Sequence, residues 1–222
     1  PAPEGPNLFE LAELDGKINS IMGDIRDFNA LKVAFEDAQP EFVFHLAAQP
    51  LVRDSYREPR MTYETNVMGT VNLLECIRFC QSVKSFLNVT TDKVYQNKEW
   101  VWGYRENEQL DGFDPYSNSK SCSDLVTHSY KNSFFNKRNI VINIARTGNV
   151  IGGGDFSIDR IIPDCFRAIQ QGKKIIVRNP QSIRPYQHVL ESIFAYLLMT
   201  ELSLKNNSIS GWYNIGPDEN DC

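Results

Sequence analysis

Val83-Lys-Ser-Phe-Leu-Asn-Val-Thr-Thr-Asp-Lys93 decides the fold. Its first part, Val83 to Val89, reads as a short buried strand. The chain leaves that strand on Thr90, Thr91, Asp92 and Lys93, which set a hydroxyl, a carboxyl and an amine side by side. Polar chemistry delivered at the carboxyl end of an apolar strand is the pattern of a parallel sheet flanked by helices, where ligands bind outside the strand ends.

Working outward, the same alternation repeats. Upstream, Phe42 to Ala48 is apolar on both faces and reads as a buried parallel strand, and Thr62 to Cys80 carries Val67, Val71, Leu74 and Ile77 in a helical stripe. Earlier still, Asn7 to Leu14 reads as a short helix, Ile18 to Ile25 as a strand ending in Gly23-Asp24, and Phe28 to Ala38 as a helix. Downstream come a helix from Tyr116 to Phe135 and a strand from Ile140 to Ala145. Strands alternating with helices predict an α/β, Rossmann-type doubly wound parallel sheet over residues 1–150. Asp24, Ala47-Ala48, Thr91-Asp92 and Thr147-Gly148-Asn149 all fall at strand carboxyl ends, and that convergence outweighs any single motif. Beyond Gly152-Gly-Gly154 the pattern changes. A helix near Ile161 to Gln170, a strand at Ile175 to Val177, a helix near Glu191 to Leu204 and a strand at Trp212 to Ile215 predict a small second lobe over 151–222.

A chain of 222 residues with 41% apolar content can bury one sizeable core, and a net charge of -5 gives no reason to expect nucleic acid or an anionic membrane as partner. No apolar run approaches the ~20 residues of a spanning helix, and the proline-rich opening is not a signal peptide. The cysteines at 76, 80, 122, 165 and 222 show no metal-like spacing. Cys76 and Cys80, four apart on one helix, read as packed core thiols before they read as a metal pair. A reducing cytoplasm fits, with no metal expected.

Tyr116 and Lys120 stand four residues apart on one helical face. A phenol with an ordinary pKa near ~10 is a poor base at neutral pH, and an ammonium one turn away pulls that pKa down. The same lysine can hold a ribose hydroxyl of a nicotinamide cofactor. The pair is weak evidence alone, because YxxxK arises by chance about as often as not in a chain with nine tyrosines. Thr91, Asp92 and Lys93 sharpen it: Thr91 can hydrogen-bond a substrate hydroxyl, Asp92 can serve as general acid, and Lys93 as general base if burial or a neighbouring cation lowers its pKa. The bland alternative is a turn or a cap.

Other features have weaker readings. Gly23-Asp24 can meet an adenosine or form a plain turn. His45, inside an apolar strand, reads as a core histidine. Gly152-Gly-Gly154-Asp155 lacks the context of a phosphate loop and reads as an interlobe turn. Arg160, Arg178 and Arg184 are candidate cations for a phosphorylated ligand, or solvated surface residues. The aromatic run Glu99-Trp-Val-Trp-Gly-Tyr104 either covers a site or packs beneath a long connection.

Three stretches carry a family likeness: Phe44-His-Leu-Ala-Ala-Gln-Pro-Leu-Val52; Thr91-Asp-Lys-Val-Tyr95 through Glu99-Trp-Val-Trp-Gly-Tyr-Arg-Glu106 to Asp114-Pro-Tyr-Ser-Asn-Ser-Lys120; and Gly148-Asn-Val-Ile-Gly-Gly-Gly-Asp155 with Arg178-Asn-Pro180 and Ile183-Arg-Pro-Tyr-Gln-His188. Together they resemble the NAD-dependent nucleotide-sugar 4,6-dehydratases of the extended short-chain dehydrogenase/reductase superfamily, and the middle stretch resembles the group acting on CDP-glucose. The resemblance implies bound NAD and a hydro-lyase cycle. Tyr116, helped by Thr91 and Lys120, takes the C4 hydroxyl proton while hydride passes to NAD. A base then removes the C5 proton as the C6 hydroxyl leaves with a proton from Asp92, and hydride returns to C6. Many such enzymes carry Glu as the C5 base where this chain has Lys93. The resemblance further implies that Asp24 and Ile25 meet the adenosine, and that Leu46, Ala47, Ala48 and Thr65 line the cofactor with Tyr116 and Lys120. Thr91, Asn149, Arg160 and Arg184 would hold the sugar nucleotide. It also implies deoxysugar synthesis of the kind that feeds lipopolysaccharide O-antigen, and a homodimer through helices 62–80 and 117–135.

The likeness runs from about Gly23 to Pro217 and departs at the ends. The family's first strand, glycine-rich phosphate loop and first helix have no counterpart after Pro1, and its downstream part is not matched before Cys222. The chain therefore reads as a fragment whose pyrophosphate grip is missing and whose sheet exposes an apolar edge. Two rivals follow: another sugar-nucleotide enzyme such as a 4-epimerase, against which Asp92-Lys93 argues, and a non-catalytic remnant serving as a binding or dimerisation module.

Overall fold

The computed structural model describes residues 6–217. The proline-rich start and Cys222 lie outside the described residues. In chain order the elements are α1 (Leu8–Leu11), α2 (Phe28–Ala38), β1 (Phe42–His45), α3 (Val52–Arg57), α4 (Pro59–Tyr63), α5 (Gly69–Phe79), β2 (Ser85–Thr91), α6 (Pro115–Tyr130), β3 (Val141–Thr147), β4 (Asn149–Ile151), α7 (Ile161–Gln170), β5 (Tyr186–His188), α8 (Val189–Lys205) and β6 (Trp212–Ile215).

The main sheet runs β1-β2-β3-β6, and every ladder in it is parallel. Helices flank it, as the alternating pattern requires. On one face α2, α5 and α6 close a core built on Leu74, Ile77, Phe86, Phe135 and Ile142. On the other, α8 packs Tyr196 against Leu87 and Ala145. The fold is the predicted α/β, Rossmann-type parallel arrangement. The helix predicted from Thr62 runs from Pro59 through α4, a wider π turn at Glu64–Met68, and α5. The helix predicted from Tyr116 to Phe135 is α6 followed by a second π turn at Lys131–Phe135.

Three expectations are corrected. Ile18 to Ile25 forms no ladder: Ile18, Ile21 and Met22 are exposed, and the Asp24 carboxylate folds back onto the Arg26 backbone N–H at 2.9 Å, making a turn. Alternating apolar residues make a strand only when they lie against a partner edge, and this segment pairs with none of the described strands. Phe42 to Ala48 is a four-residue edge strand rather than a strand buried on both faces, with Phe42 and Phe44 exposed and Leu46 beyond the ladder. That leaves the apolar sheet edge anticipated from the sequence. Ile175 to Val177 is exposed coil. The pairing in this lobe is instead β4 with β5, in parallel. Gly148 permits it, since a Cβ there would stand 2.9 Å from the Pro185 Cγ.

Candidate active site

The carboxyl end of β2 positions the first group of side chains. Thr91 ends the ladder and caps a single tight turn, Asp92–Val94, so Asp92 and Lys93 project half-buried at the sheet's mouth. The Thr91 hydroxyl donates to the Asp92 carboxylate at 2.9 Å. The second group is positioned by the start of α6. Asp114 caps this helix, accepting from the Ser117 N–H at 3.0 Å and from its hydroxyl at 2.7 Å, and Pro115 occupies the first turn. Gly112 runs so close beneath that turn that a Cβ would stand 2.3 Å from the Ser117 carbonyl carbon. Tyr116 therefore sits in the first turn, with Lys120 one turn further in.

These two groups meet across one cleft of about 880 Å³, large enough for a nucleotide-sized ligand. Thr91, Asp92, Lys93, Tyr116 and Lys120 all line it, together with Leu46, Ala48, Asn149 and Arg160. Asp24, Ile25, Ala47, Thr65 and Arg184 are not brought to it. The Asp24 carboxylate is engaged by Arg26 at 2.6 Å, which holds its pKa down at about 2. Ile25 packs where a Cβ on Gly69 would meet it, and the Thr65 hydroxyl faces the Met61 sulfur at 3.7 Å. Ala47 and Arg184 are exposed. Arg160 is held by Asp155 at 3.0 Å, while Arg178 and Arg53 converge on Asp159 at 2.9 and 2.8 Å.

The electrostatics differ from the expectation in one respect. Burial is the largest influence on Tyr116 and pushes its pKa up to about 12, against a hydrogen bond with Thr91 that pulls it down. Lys120 does not relieve it, because the Lys120 ammonium points away to the Val89 carbonyl at 2.9 Å. Lys120 is itself buried, and burial lowers its pKa to about 8, with Asp124 opposing. His45 is a core histidine: its ring hydrogen-bonds the Thr70 hydroxyl at 3.0 Å, and burial followed by the Lys120 charge pushes its pKa down to about 3. Cys76 and Cys80 are buried free thiols in the apolar core, and burial raises Cys76 to about 11. Among the described residues no helix is long and apolar enough to cross a membrane.

Sequence reasoning missed the polar interior behind the cleft. Asn66 accepts from the Gln49 N–H at 2.8 Å and donates to the Gln49 carbonyl at 3.1 Å and the Ser119 hydroxyl at 2.9 Å. Arg146 and Asp124 form a fully buried ion pair at 2.8 Å. The available signal was a charged residue, Arg146, directly following the apolar run Ile140 to Ala145. The aromatic run packs on itself: Tyr104 stacks on Tyr95 with ring centres 5.3 Å apart, Trp100 lies 5.4 Å from Trp102, and none of Trp100, Trp102 and Tyr104 lines the cleft.

The sequence profile of the GDP-mannose 4,6 dehydratase family matches residues 6–211, nearly the whole chain. The chain belongs to this family. A CDP-glucose 4,6-dehydratase of Salmonella typhimurium is 49% identical to this family member over all of the chain, which spans 63% of that relative's length. Among solved structures, a dTDP-glucose 4,6-dehydratase double mutant of Streptomyces venezuelae with NAD bound superposes with a TM-score of 0.80 at 25% identity, covering 95% of this chain and 62% of that one. A UDP-glucose 4-epimerase of Thermotoga maritima, solved with UDP-glucose, gives a TM-score of 0.75 at 25% identity over 87% of this chain and 61% of that one. The dehydratase family and the parallel sheet seen here thus agree.

Proposed function

We propose that the protein is, or is part of, an NAD-dependent sugar-nucleotide 4,6-dehydratase acting on CDP-glucose. The observation that carries this reading is the meeting of Thr91, Asp92 and Lys93 with Tyr116 and Lys120 in one cleft, in a chain 49% identical to a CDP-glucose 4,6-dehydratase. A 4-epimerase needs no acid for a C6 hydroxyl and no base for C5, so Asp92 and Lys93 favour dehydration.

The residues lining the cleft fit the nicotinamide-ribose end of a dinucleotide. The Lys120 ammonium has three hydrogens and one bond to Val89, which supports a second bond to a ribose hydroxyl at the cleft. Leu46 and Ala48 give the cleft an apolar wall beside it. NAD, when bound, takes hydride from C4 of the sugar and returns it at C6. Tyr116, hydrogen-bonded to Thr91, accepts the C4 hydroxyl proton. Because burial, the largest influence, holds its pKa up at about 12, it acquires basicity suited to neutral pH only when cationic charge is drawn towards it. Asp92 donates a proton to the departing C6 hydroxyl, and Lys93 removes the C5 proton. Asn149 and Arg160 hold the sugar nucleotide, with Arg160 leaving Asp155 for phosphate. Residues 1–150 form the cofactor-binding part and 151–222 the sugar-nucleotide lobe. A homodimer through helices 62–80 and 117–135 is supported by exposed Met68, Phe79, Leu125 and Phe134 on those helices. A cytoplasmic location suits the free thiols among the described residues.

The test is to incubate the complete protein with NAD and CDP-glucose and follow the alkaline absorbance of a 4-keto-6-deoxy sugar. A C4 epimer as product, or no turnover with NAD bound, would sink the reading.

A further inference from the structure

Arg146 is a guanidinium inside β3, a strand buried along its whole length. Its Nε and Nη2 donate to the two Asp124 carboxylate oxygens at 2.8 and 3.0 Å, and its Nη1 donates to the Tyr95 hydroxyl at 2.8 Å and the Glu106 carbonyl at 2.9 Å. Both members of the ion pair are only 3% exposed. Such a pair gives little net stability, because two charges leave water to form it, so stability alone supplies no reason for it to stand where apolar residues would pack.

Its position supplies the reason. Asp124 lies one turn beyond Lys120 on α6, and Arg146 sits opposite Thr90 in the β2–β3 register. Three consecutive residues of β2 each take hold of α6. The Asn88 amide donates to the hydroxyls of Ser123 at 3.0 Å and Thr127 at 2.9 Å. The Val89 carbonyl accepts from Lys120 at 2.9 Å, and the Thr90 hydroxyl donates to Asp124 at 3.5 Å. The ion pair extends this grip to β3 and, through Tyr95 and Glu106, to the connection that follows Asp92 and Lys93.

We propose that Asp124 and Arg146 are a positioning pair for Lys120, fixing the height and rotation of α6 that aim its ammonium at the floor of the cleft. This rests on the reading of Lys120 as a cofactor-gripping residue. The titratable or charged groups facing Lys120 are Tyr116 and Asp124 from its own helix, His45 from β1, and Arg146 from β3 behind Asp124. The β2 residues beneath it, Asn88 to Thr90, carry no charge. His45 is neutral above pH ~4 by its burial-lowered pKa. Asp124 is therefore the counter-charge of Lys120, and Arg146 divides it.

The test is to titrate the full chain labelled with carbon-13 lysine, reading the Lys120 Cε shift, assigned by its disappearance in Lys120→Arg. In Asp124→Asn the midpoint should fall by about half a pH unit or more, and in Arg146→Met it should rise by a similar amount, since Asp124 then acts on Lys120 alone. Asn143→Ala serves as the control: it removes a buried bond from the same strand to Ser203, and it should leave the midpoint in place. If Arg146→Met does not fold, Arg146→Gln, which keeps a hydrogen-bonding side chain but removes the charge that shares Asp124, should shift the midpoint in the same direction. An unmoved midpoint in the folded pair variants, or an equal shift in Asn143→Ala, overturns the proposal. Absence of the 4-keto product from the unaltered complete protein would instead sink the functional reading and leave the Lys120 titration readable.

Discussion

Replacing Lys120 by Met should remove a specific pH dependence from the stability of the fold. Lys120 is 4% exposed, and burial lowers its pKa from 10.5 to about 8. Below pH 8 the residue is charged in both folded and unfolded chains, so the folded state carries the whole penalty of a buried ammonium. Between pH 8 and 10.5 the unfolded chain still binds the proton and the folded chain has released it. Stability must then rise with pH, by about 1.4 kcal/mol per pH unit and about 3 kcal/mol across the window. Tyr116, with a pKa raised by burial, works in the opposite direction only above pH ~10 and does so in both proteins. The assay is urea unfolding of the unaltered protein and Lys120→Met at pH 7, 8, 9 and 10. The stability difference between them should shift in favour of the unaltered protein by about 2.5 kcal/mol from pH 7 to 10. A difference that stays flat to within about 0.5 kcal/mol would refute a neutral buried Lys120 in that range.

Tyr116→Phe in the complete protein should lower turnover of CDP-glucose by about 10²–10⁴-fold and leave sugar-nucleotide binding nearly intact, measured by product absorbance and calorimetry. Lys93→Met should abolish incorporation of solvent deuterium at C5 of the sugar, read by mass spectrometry; retained incorporation would assign the C5 base elsewhere. Asn66→Leu leaves the Gln49 backbone N–H and carbonyl without their Asn66 partner, and the Ser119 hydroxyl with only its bond to the Tyr116 carbonyl, and should destabilise the chain by about 2–4 kcal/mol in urea. Gly112→Ala forces a Cβ against the backbone of Ser117 and should destabilise by about 1–3 kcal/mol, with loss of binding at the cleft because the first turn of α6 must shift.

The sequence made the centre of the sheet and its mouth legible, because Val83 to Val89 and Ile140 to Ala145 are short, largely apolar runs followed directly by polar residues. It could not say which apolar runs find a partner edge. Ile18 to Ile25 and Ile175 to Val177 have the composition of strands and form none, while β4 and β5 are three residues each, too short for a period, and contain Asn149, Tyr186, Gln187 and His188. The spacing of Tyr116 and Lys120 correctly put both at the cleft, yet not the direction of the ammonium, which is set by a β2 carbonyl thirty-one positions earlier. Asp124 and Arg146 likewise meet only through tertiary packing.

The ladder registers also bear on how the molecule assembles in time. Phe42 pairs with Ser85, Ser85 with Val141, and Ile144 with Trp212, so every contact of the main sheet joins distant parts of the chain and none can form by a hairpin. Loop-closure entropy scarcely ranks them, since lengthening the closure from the first pair to the last costs only about 0.4 kcal/mol. Such a topology folds slowly. During synthesis, Thr91 and Tyr116 emerge long before β6 arrives to cover the far edge of β3. In that interval the apolar strands are open to other nascent chains.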